Sequence, residues 1–252
     1  MSETVLVTGA SAGAGSSIAR RFAREGFNVI LAARRLDRLQ ALAREIATEF
    51  NVDATPLQCD LQNLTEVRSL YEEASDIGFN ILINNAGRGD WNFIWDISLD
   101  NLNALFDLNA RAVALLSALF VRENKDREAC LINVASLAGY SLFNAAIPYS
   151  ASKFFVTAFT EGLIKDLELV NSPMRAKVIA PGPIDTEFKS ISMAETKLKN
   201  LDASGIEVHT ADDIADFTFQ LYQSDFPVGL VDLDDMSFVM RDTLHPFGRL
   251  KD

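Results

Sequence analysis

The stretch that most restricts the fold lies at the start of the chain. Val5-Leu6-Val7 is an aliphatic run without alternation, the pattern of a strand buried on both faces of a parallel sheet. It leads directly into Thr8-Gly9-Ala10-Ser11-Ala12-Gly13-Ala14-Gly15, and then into a helical pattern from Ile18 to Glu25, with Gly26 as its stop. In a strand–glycine loop–helix unit, the glycines let the backbone approach a pyrophosphate. The helix N-terminus adds free N–H groups and a positive dipole end. The spacing is Gly-x-x-x-Gly-x-Gly rather than the commoner Gly-x-Gly-x-x-Gly, and a glycine-rich turn without a ligand is the plain alternative.

The rest of the chain repeats this alternation. Strands are expected at Asn28–Ala33, Ala54–Cys59, Asn80–Ile83, Cys130–Ala135, Ala176–Ala180 and Val228–Val239, with helices between them. No linker-like break interrupts the series, so residues 1–252 read as one domain. The fold class is α/β: a doubly wound, Rossmann-type parallel sheet of about seven strands with helices on both faces. Leu99 to Glu123 carries apolar residues at helical intervals with Asn109 inside it, where an asparagine ordinarily points at solvent. Thr210-Ala211-Asp212-Asp213 has the form of a capped helix start. The polar segment from Glu187 to about Val208 suits a flap over a pocket.

Charge and composition remove several classes of function. Lys and Arg number 23 against 35 Asp and Glu, a net charge of −12, which argues against nucleic-acid and anionic-membrane partners. An anionic cofactor then has to be held by local positive features. Cys59 and Cys130 lie in apolar strand-like runs and read as reduced core thiols, and with only His209 and His245 no zinc cluster can be assembled. The N-terminus lacks a charged leader, and no apolar run reaches the roughly 18 residues of a membrane span. A cytoplasmic, soluble protein is the expectation.

The second nucleotide-related feature is the end of the Asn28–Ala33 strand. An acidic residue there would hold a ribose 2′-hydroxyl; the chain instead has Ala33 followed by Arg34 and Arg35, which favours the 2′-phosphate of NADP(H) over NAD(H). The plain alternative is that the two arginines are a solvated start to the next helix. Asp60-Leu61, just past the third strand, could face an adenine, although Asp60 could equally cap the following helix. Asn84-Asn85-Ala86-Gly87 ends the fourth strand, where doubly wound folds bind ligands, with an ordinary Asn–Gly turn as the plain alternative.

The candidate for chemistry is Ser136 with Tyr149-x-x-x-Lys153, although a tyrosine and a lysine four apart are, on that spacing alone, more often a surface contact. Residues four apart on a helix share a face, which sets the phenol beside the ammonium. A phenol with a pKa of about 10 is a poor base near neutrality, and a neighbouring cation brings it down. Ser136, at the tip of an apolar strand, could hydrogen-bond the same substrate oxygen.

Taken in order, Thr8-Gly9-x-x-x-Gly13-x-Gly15, Asp60, Asn84-Asn85-Ala86-Gly87, Asn109, Ser136, Tyr149-x-x-x-Lys153 and Pro181-Gly182 with Thr186 make the chain resemble the short-chain dehydrogenase/reductase family over nearly its whole length. The resemblance implies a nicotinamide dinucleotide enzyme that interconverts a carbonyl and a secondary alcohol. Tyr149 would be its acid/base. Lys153 would lower the phenol's pKa and hold the nicotinamide ribose, Ser136 would orient the substrate oxygen, and Asn109 would anchor a water relay. Gly9, Ser11, Ala14, Gly15, Arg34, Arg35, Asp60, Leu61, Asn85, Ala86, Gly87, Pro181, Gly182, Ile184 and Thr186 would line the cofactor with Tyr149 and Lys153. The subgroup it is most similar to is the NADP-preferring reductases of 3-hydroxy acids and assorted carbonyls. It departs from them at Ala12, where such relatives often carry a basic residue.

The expected partner is a small carbonyl or alcohol compound. Its pocket would be built from the Gly87–Trp95 and Gly139–Ile147 loops and the segment after Thr186, with Trp91, Phe143 and Phe188 as apolar lining. Phe154, Phe155 and Phe159 give the Tyr149 helix a second apolar face, consistent with a homodimer or homotetramer. Two other classes remain: a dinucleotide-binding regulator or sensor without turnover, and an epimerase that uses the cofactor transiently. A poised phenol argues against the first.

Overall fold

The computed structural model describes residues 3–184 and 208–248. They form one eight-stranded sheet in the order β3-β2-β1-β4-β5-β6-β7-β8. The chain alternates β1 (Thr4–Thr8), α1 (Gly13–Arg24), β2 (Asn28–Ala33), α2 (Leu36–Phe50), β3 (Ala54–Gln58), α3 (Leu64–Ile77) and β4 (Ile81–Asn84). A second series follows: α4 (Leu99–Phe106), α5 (Val113–Asn124), β5 (Cys130–Val134), α6 (Ile147–Leu169), β6 (Arg175–Ala180), α7 (Ala211–Gln223), β7 (Val228–Val231) and β8 (Phe238–Arg241). All pairings are parallel except β7 with β8.

Successive strand residues point to opposite faces, and the two faces build separate cores. Val5, Val7, Val29, Leu31, Ile81, Ile83 and Ile132 pack under α1, α2 and α7. Leu6, Ile30, Leu82 and Leu131 pack under α3, α5 and α6. The strands are apolar throughout because they are covered on both sides. Pro56 stands in the edge strand β3, a place that tolerates its missing N–H.

Three expectations need correction. Val228–Val239 is a hairpin, not one strand. The Asp232 carboxylate accepts the Asp234 amide at 2.9 Å, the Asp235 carboxylate accepts the Ser237 amide at 2.9 Å, and Met236 takes a left-handed φ of 58°. The sheet therefore gains an eighth, antiparallel strand. The α3 cap is Asn63, whose side chain accepts the Thr65 amide at 3.0 Å, while Asp60 accepts the Gln62 amide at 3.1 Å in the preceding turn.

The long helix from Leu99 to Asn124 is real but not uniform, because Asp107–Ala112 widens into a π turn that separates α4 from α5. By length and composition this helix could cross a membrane, contrary to the expectation drawn from contiguous apolar runs. Its buried residues Leu105, Ala112, Val113, Leu116 and Phe120 pack into the protein's own cores, as in many soluble core helices.

The Thr210 capping box starts α7 as expected, and Cys59 and Cys130 are free and buried. Thr186, Phe188 and most of the segment expected to form a flap lie outside the described residues.

Candidate active site

Strand order reverses between β1 and β4, so the loops at their C-terminal ends part and leave a crevice. Thr8 ties the two strand ends together. Its hydroxyl accepts the amides of Asn85 and Ala86, both at 3.0 Å, and the Asn85 side chain donates to the Thr8 carbonyl at 2.9 Å. Gly9 has φ 69°, and a Cβ there would lie 2.9 Å from Ala86 Cα. A Cβ on Gly15 would meet the Gly9 carbonyl oxygen at 2.4 Å. The glycines thus let the first loop press against the 85–87 loop at the start of α1.

That helix end is suited to an anion. The residue at its N-cap is Ala12, which supplies no side-chain hydrogen bond, and the first turn has no acidic residue. The leading N–H groups are left for another acceptor. The nearby cation is Arg35, whose Nε and Nη2 donate to the Ser11 hydroxyl at 3.2 and 3.1 Å. Arg34 is exposed and its carbonyl accepts from the Gln58 side-chain Nε2 at 2.9 Å. The two arginines therefore differ: Arg35 lies over the glycine loop, whereas Arg34 faces solvent. Leu61 packs into the core beneath α3, and Asp60 occupies the turn beyond β3.

The reactive groups lie on the other side of the crevice. Ser136 caps a short 3₁₀ turn, Leu137–Gly139, where its hydroxyl accepts the Ala138 amide at 3.1 Å. It also hydrogen-bonds the Tyr149 phenol. Lys153, one turn along α6, is buried and its Nζ donates to the Val134 carbonyl at 3.0 Å, 6.0 Å from the centre of the Tyr149 ring. Gly87 completes the group: a Cβ there would stand 3.3 Å from Asn109 Oδ1 and 3.5 Å from Lys153 Nζ.

The electrostatics depart from the sequence-based expectation. Burial pushes the Tyr149 phenol up to about 12, with the Ser136 hydrogen bond opposing, and it draws the Lys153 ammonium down to about 8. Burial disfavours the charged form of each group, so the phenol is held protonated near neutral pH.

Asn109 is buried rather than solvent-facing. Its Oδ1 accepts the Arg88 amide at 2.9 Å, and its Nδ2 donates to the Arg88 carbonyl at 2.8 Å and to the Ser152 hydroxyl at 3.0 Å. It sits in the π turn, where the helix's own hydrogen-bond ladder loosens. Arg88 and Ser152 belong to the site's frame without a sequence signal, and Thr8, quoted in the glycine motif, takes a framing role that the sequence does not assign it. The signal for Thr8 is a hydroxyl next to the first glycine at a strand end.

Pro181 accepts the Leu137 amide at 2.9 Å, and a Cβ on Gly182 would lie 3.7 Å from Leu137, so the loop after β6 backs the Ser136 turn. Ile184 pairs with His209 in a β-bridge. Around the Tyr149 ring, Leu105, Ala138 and Ala146 form an apolar cluster with Trp91 and Phe143 against it.

The model of the short chain dehydrogenase family matches residues 3–197. A curated relative, dehydrogenase/reductase SDR family member 11 of Gallus gallus, is 32% identical over 191 residues, 73% of this chain and 75% of its own. Among solved structures, the chain resembles a short-chain dehydrogenase from Sphingobium yanoikuyae in complex with NADPH, with a TM-score of 0.81, 29% identity, and 92% and 89% of the two chains covered. It also resembles a bulky-bulky ketone specific alcohol dehydrogenase from Comamonas testosteroni, with a TM-score of 0.75, 26% identity and coverage of 90% and 85%. The fold recurs, at a TM-score of 0.74 and 22% identity over 87% and 85% of the chains, in a short chain dehydrogenase/reductase from Burkholderia phymatum in complex with NAD.

Proposed function

The chain belongs to the short-chain dehydrogenase family, and on that premise we propose that it is an NADP(H)-dependent oxidoreductase interconverting a carbonyl compound and a secondary alcohol. The observation that carries the reading is the convergence of Ser136, Tyr149 and Lys153 on one side of a crevice whose other side is an uncapped helix start with Arg35 over it. A binding module needs only the second half. A buried phenol hydrogen-bonded to a serine suits proton transfer, and it is not required for holding a dinucleotide.

The residues fit a dinucleotide. The α1 N–H groups and the close-packed Gly9 and Gly15 suit its pyrophosphate, Arg35 suits a 2′-phosphate, and Asn85, Ala86 and Gly87 line the opposite wall. When bound, the nicotinamide supplies a hydride donor or acceptor. The chain's own residues do the rest. Tyr149 gives a proton to the carbonyl oxygen in reduction and takes it back in oxidation. Ser136 holds both the phenol and the oxygen in line, which removes orientational freedom from the reacting pair. Lys153 places a positive charge where the oxygen becomes negative. Asn109 fixes the Arg88 backbone beside Gly87 and Lys153 and so keeps the two halves of the crevice in register. Trp91 and Phe143 give the substrate side an apolar wall.

A panel of carbonyl compounds and hydroxy acids followed by NADPH absorbance tests the assignment. Tyr149→Phe should lower kcat by about 10²–10⁴-fold with coenzyme affinity nearly unchanged, because only the ionisable hydroxyl is lost. Near-normal kcat in that variant on a good substrate would refute Tyr149 as the acid/base.

A further inference from the structure

Glu161 is 2% exposed on α6, three turns beyond Tyr149, and plays no part in the chemistry described above. A carboxylate so deeply placed needs several donors to offset its lost hydration. Three are present. The Tyr140 hydroxyl donates to Oε1 at 2.6 Å, and the backbone amides of Leu244 and His245 donate to Oε2 at 2.6 and 2.7 Å. Burial, together with that carboxylate, holds the Tyr140 phenol far above its usual range, so it remains the donor. His245 then closes over the pair. Its ring stacks on Tyr140 with centroids 5.5 Å apart, its Nε2 meets the Thr157 hydroxyl at 2.9 Å, and Nε2 lies 3.9 Å from Glu161 Oε1.

Every partner in this group leads back to the turn that begins at Ser136. Tyr140 caps the C-terminal end of that turn. Thr157 donates to the Gly139 carbonyl at 2.9 Å. Gly139 lies so close to α6 that a Cβ would fall 2.7 Å from the Lys153 carbonyl oxygen. A turn of three residues has few hydrogen bonds of its own, and its geometry depends on what holds its ends. One end is set by the Leu137 amide on Pro181, and the other by Gly139 and Tyr140.

We propose that the C-terminal tail, clasped by Glu161, fixes the Ser136 turn, which makes Tyr140, Glu161 and His245 positioning residues for the Ser136 hydroxyl. The catalytic consequence rests on the oxidoreductase reading above; the clasp itself does not. Losing it leaves the coenzyme crevice intact and misplaces one hydroxyl.

The test compares Tyr140→Phe, Glu161→Ala and Glu161→Gln with wild type in two measurements. In amide hydrogen exchange, Tyr140→Phe and Glu161→Ala should speed exchange in the peptides covering Ser136–Tyr140 and Leu244–His245 and leave β4 and β5 at wild-type rates. In steady-state kinetics the same two variants should lose about tenfold or more in kcat, with KM for the coenzyme within about twofold, since misplacing a reacting group by about 1 Å can cost 10²-fold. Glu161→Gln keeps an acceptor for the tail amides and can donate to the phenol oxygen, so it should recover most of kcat. A uniform loss of stability would not give that split. Should Glu161→Ala fail to fold, Tyr140→Phe carries the test, because it removes one oxygen and keeps the ring stack. Exchange at wild-type rates across Ser136–Tyr140 in Tyr140→Phe would overturn the clasp. Unchanged kcat with a loosened turn would overturn its catalytic role. A wild type that reduces no carbonyl would refute the proposed function while the exchange data still decide the clasp.

Discussion

Lys153→Met should stabilise the protein at neutral pH, and by an amount that depends on pH. The ammonium is buried and, among the described residues, donates to the Val134 carbonyl; burial draws it from 10.5 down to about 8. At 1.36 kcal/mol per pH unit, that lowering is a cost to the folded state of about 3 kcal/mol when both states are protonated. The sign follows from proton counts. Between pH 8 and 10.5 the unfolded chain holds the proton that the folded chain has released, so stability rises with pH and the cost fades. It is about 3 kcal/mol at pH 7 and about 1 kcal/mol at pH 9.5. Methionine removes this cost and leaves the Val134 carbonyl unpaired, a penalty of about 1–3 kcal/mol at either pH. The net effect at pH 7 is about 0–2 kcal/mol in favour of the variant. The gap between the two pH values, about 2 kcal/mol, is independent of the carbonyl penalty. Urea unfolding of both proteins without added coenzyme at pH 7 and 9.5 measures it. An equal stability difference at the two pH values would mean that Lys153 is not desolvated, and the reasoning would fail.

Two further outcomes bear on the coenzyme and the assembly. Arg35→Ala should weaken NADPH binding at least about tenfold and NADH binding far less, because a charge-assisted contact of about 1.5–3 kcal/mol to a 2′-phosphate is lost; Arg34→Ala should do less, since Arg34 faces solvent. Titration calorimetry with both coenzymes checks this, and equal losses for the two would remove Arg35 from the phosphate site. The outer face of α6 carries Phe155 stacked on Phe159 at 5.5 Å, with Phe155 38% exposed, and light scattering should therefore give a multiple of 27.7 kDa; the monomer mass at micromolar concentration would refute it.

Local pattern was enough to read the glycine loop, the buried parallel strands and the helices between them, because each is a short-range consequence of residue type. Ser136, Tyr149 and Lys153 could be paired because helix geometry fixes i and i+4, and a strand tip next to them is the usual place for a site. What stayed hidden was decided by distant partners. At Asn109 the helical pattern alone gives a solvated residue and only the family resemblance gives it a place at the site; its burial comes from the Arg88 backbone and Ser152, 43 residues away. Glu161 carries no local signal, since its donors come from Tyr140 and from a tail 84 residues on. The β7–β8 hairpin was read as one strand because its turn uses Asp side chains and a left-handed Met236, with no glycine or proline to mark it. Phe154, grouped with the outer phenylalanines by spacing, lies near the His245 ring instead, with centroids 6.4 Å apart.

The upward displacement of Tyr149 gives the site a direction. With the phenol held at about 12 and the Lys153 ammonium at about 8, both are protonated at pH 7. That is the state a carbonyl needs from its acid, so reduction requires no prior ionisation and its kcat should be flat from pH 6 to 7.5. Alcohol oxidation needs the phenolate, which is scarce there, and its rate should climb towards tenfold per pH unit as the base form becomes more abundant. The Lys153 charge falls away as the pH passes about 8, and with it the cation that favours the phenolate, so the climb should slacken above that point. Initial rates in both directions on one substrate pair, measured from pH 6 to 9.5 in buffers of equal ionic strength, separate these profiles. An oxidation rate that does not change between pH 6 and 8 would show that some group other than the Tyr149 phenol accepts the proton, or that a step outside the chemistry limits turnover. A pre-steady-state burst distinguishes the two, because its amplitude survives only when release is slow.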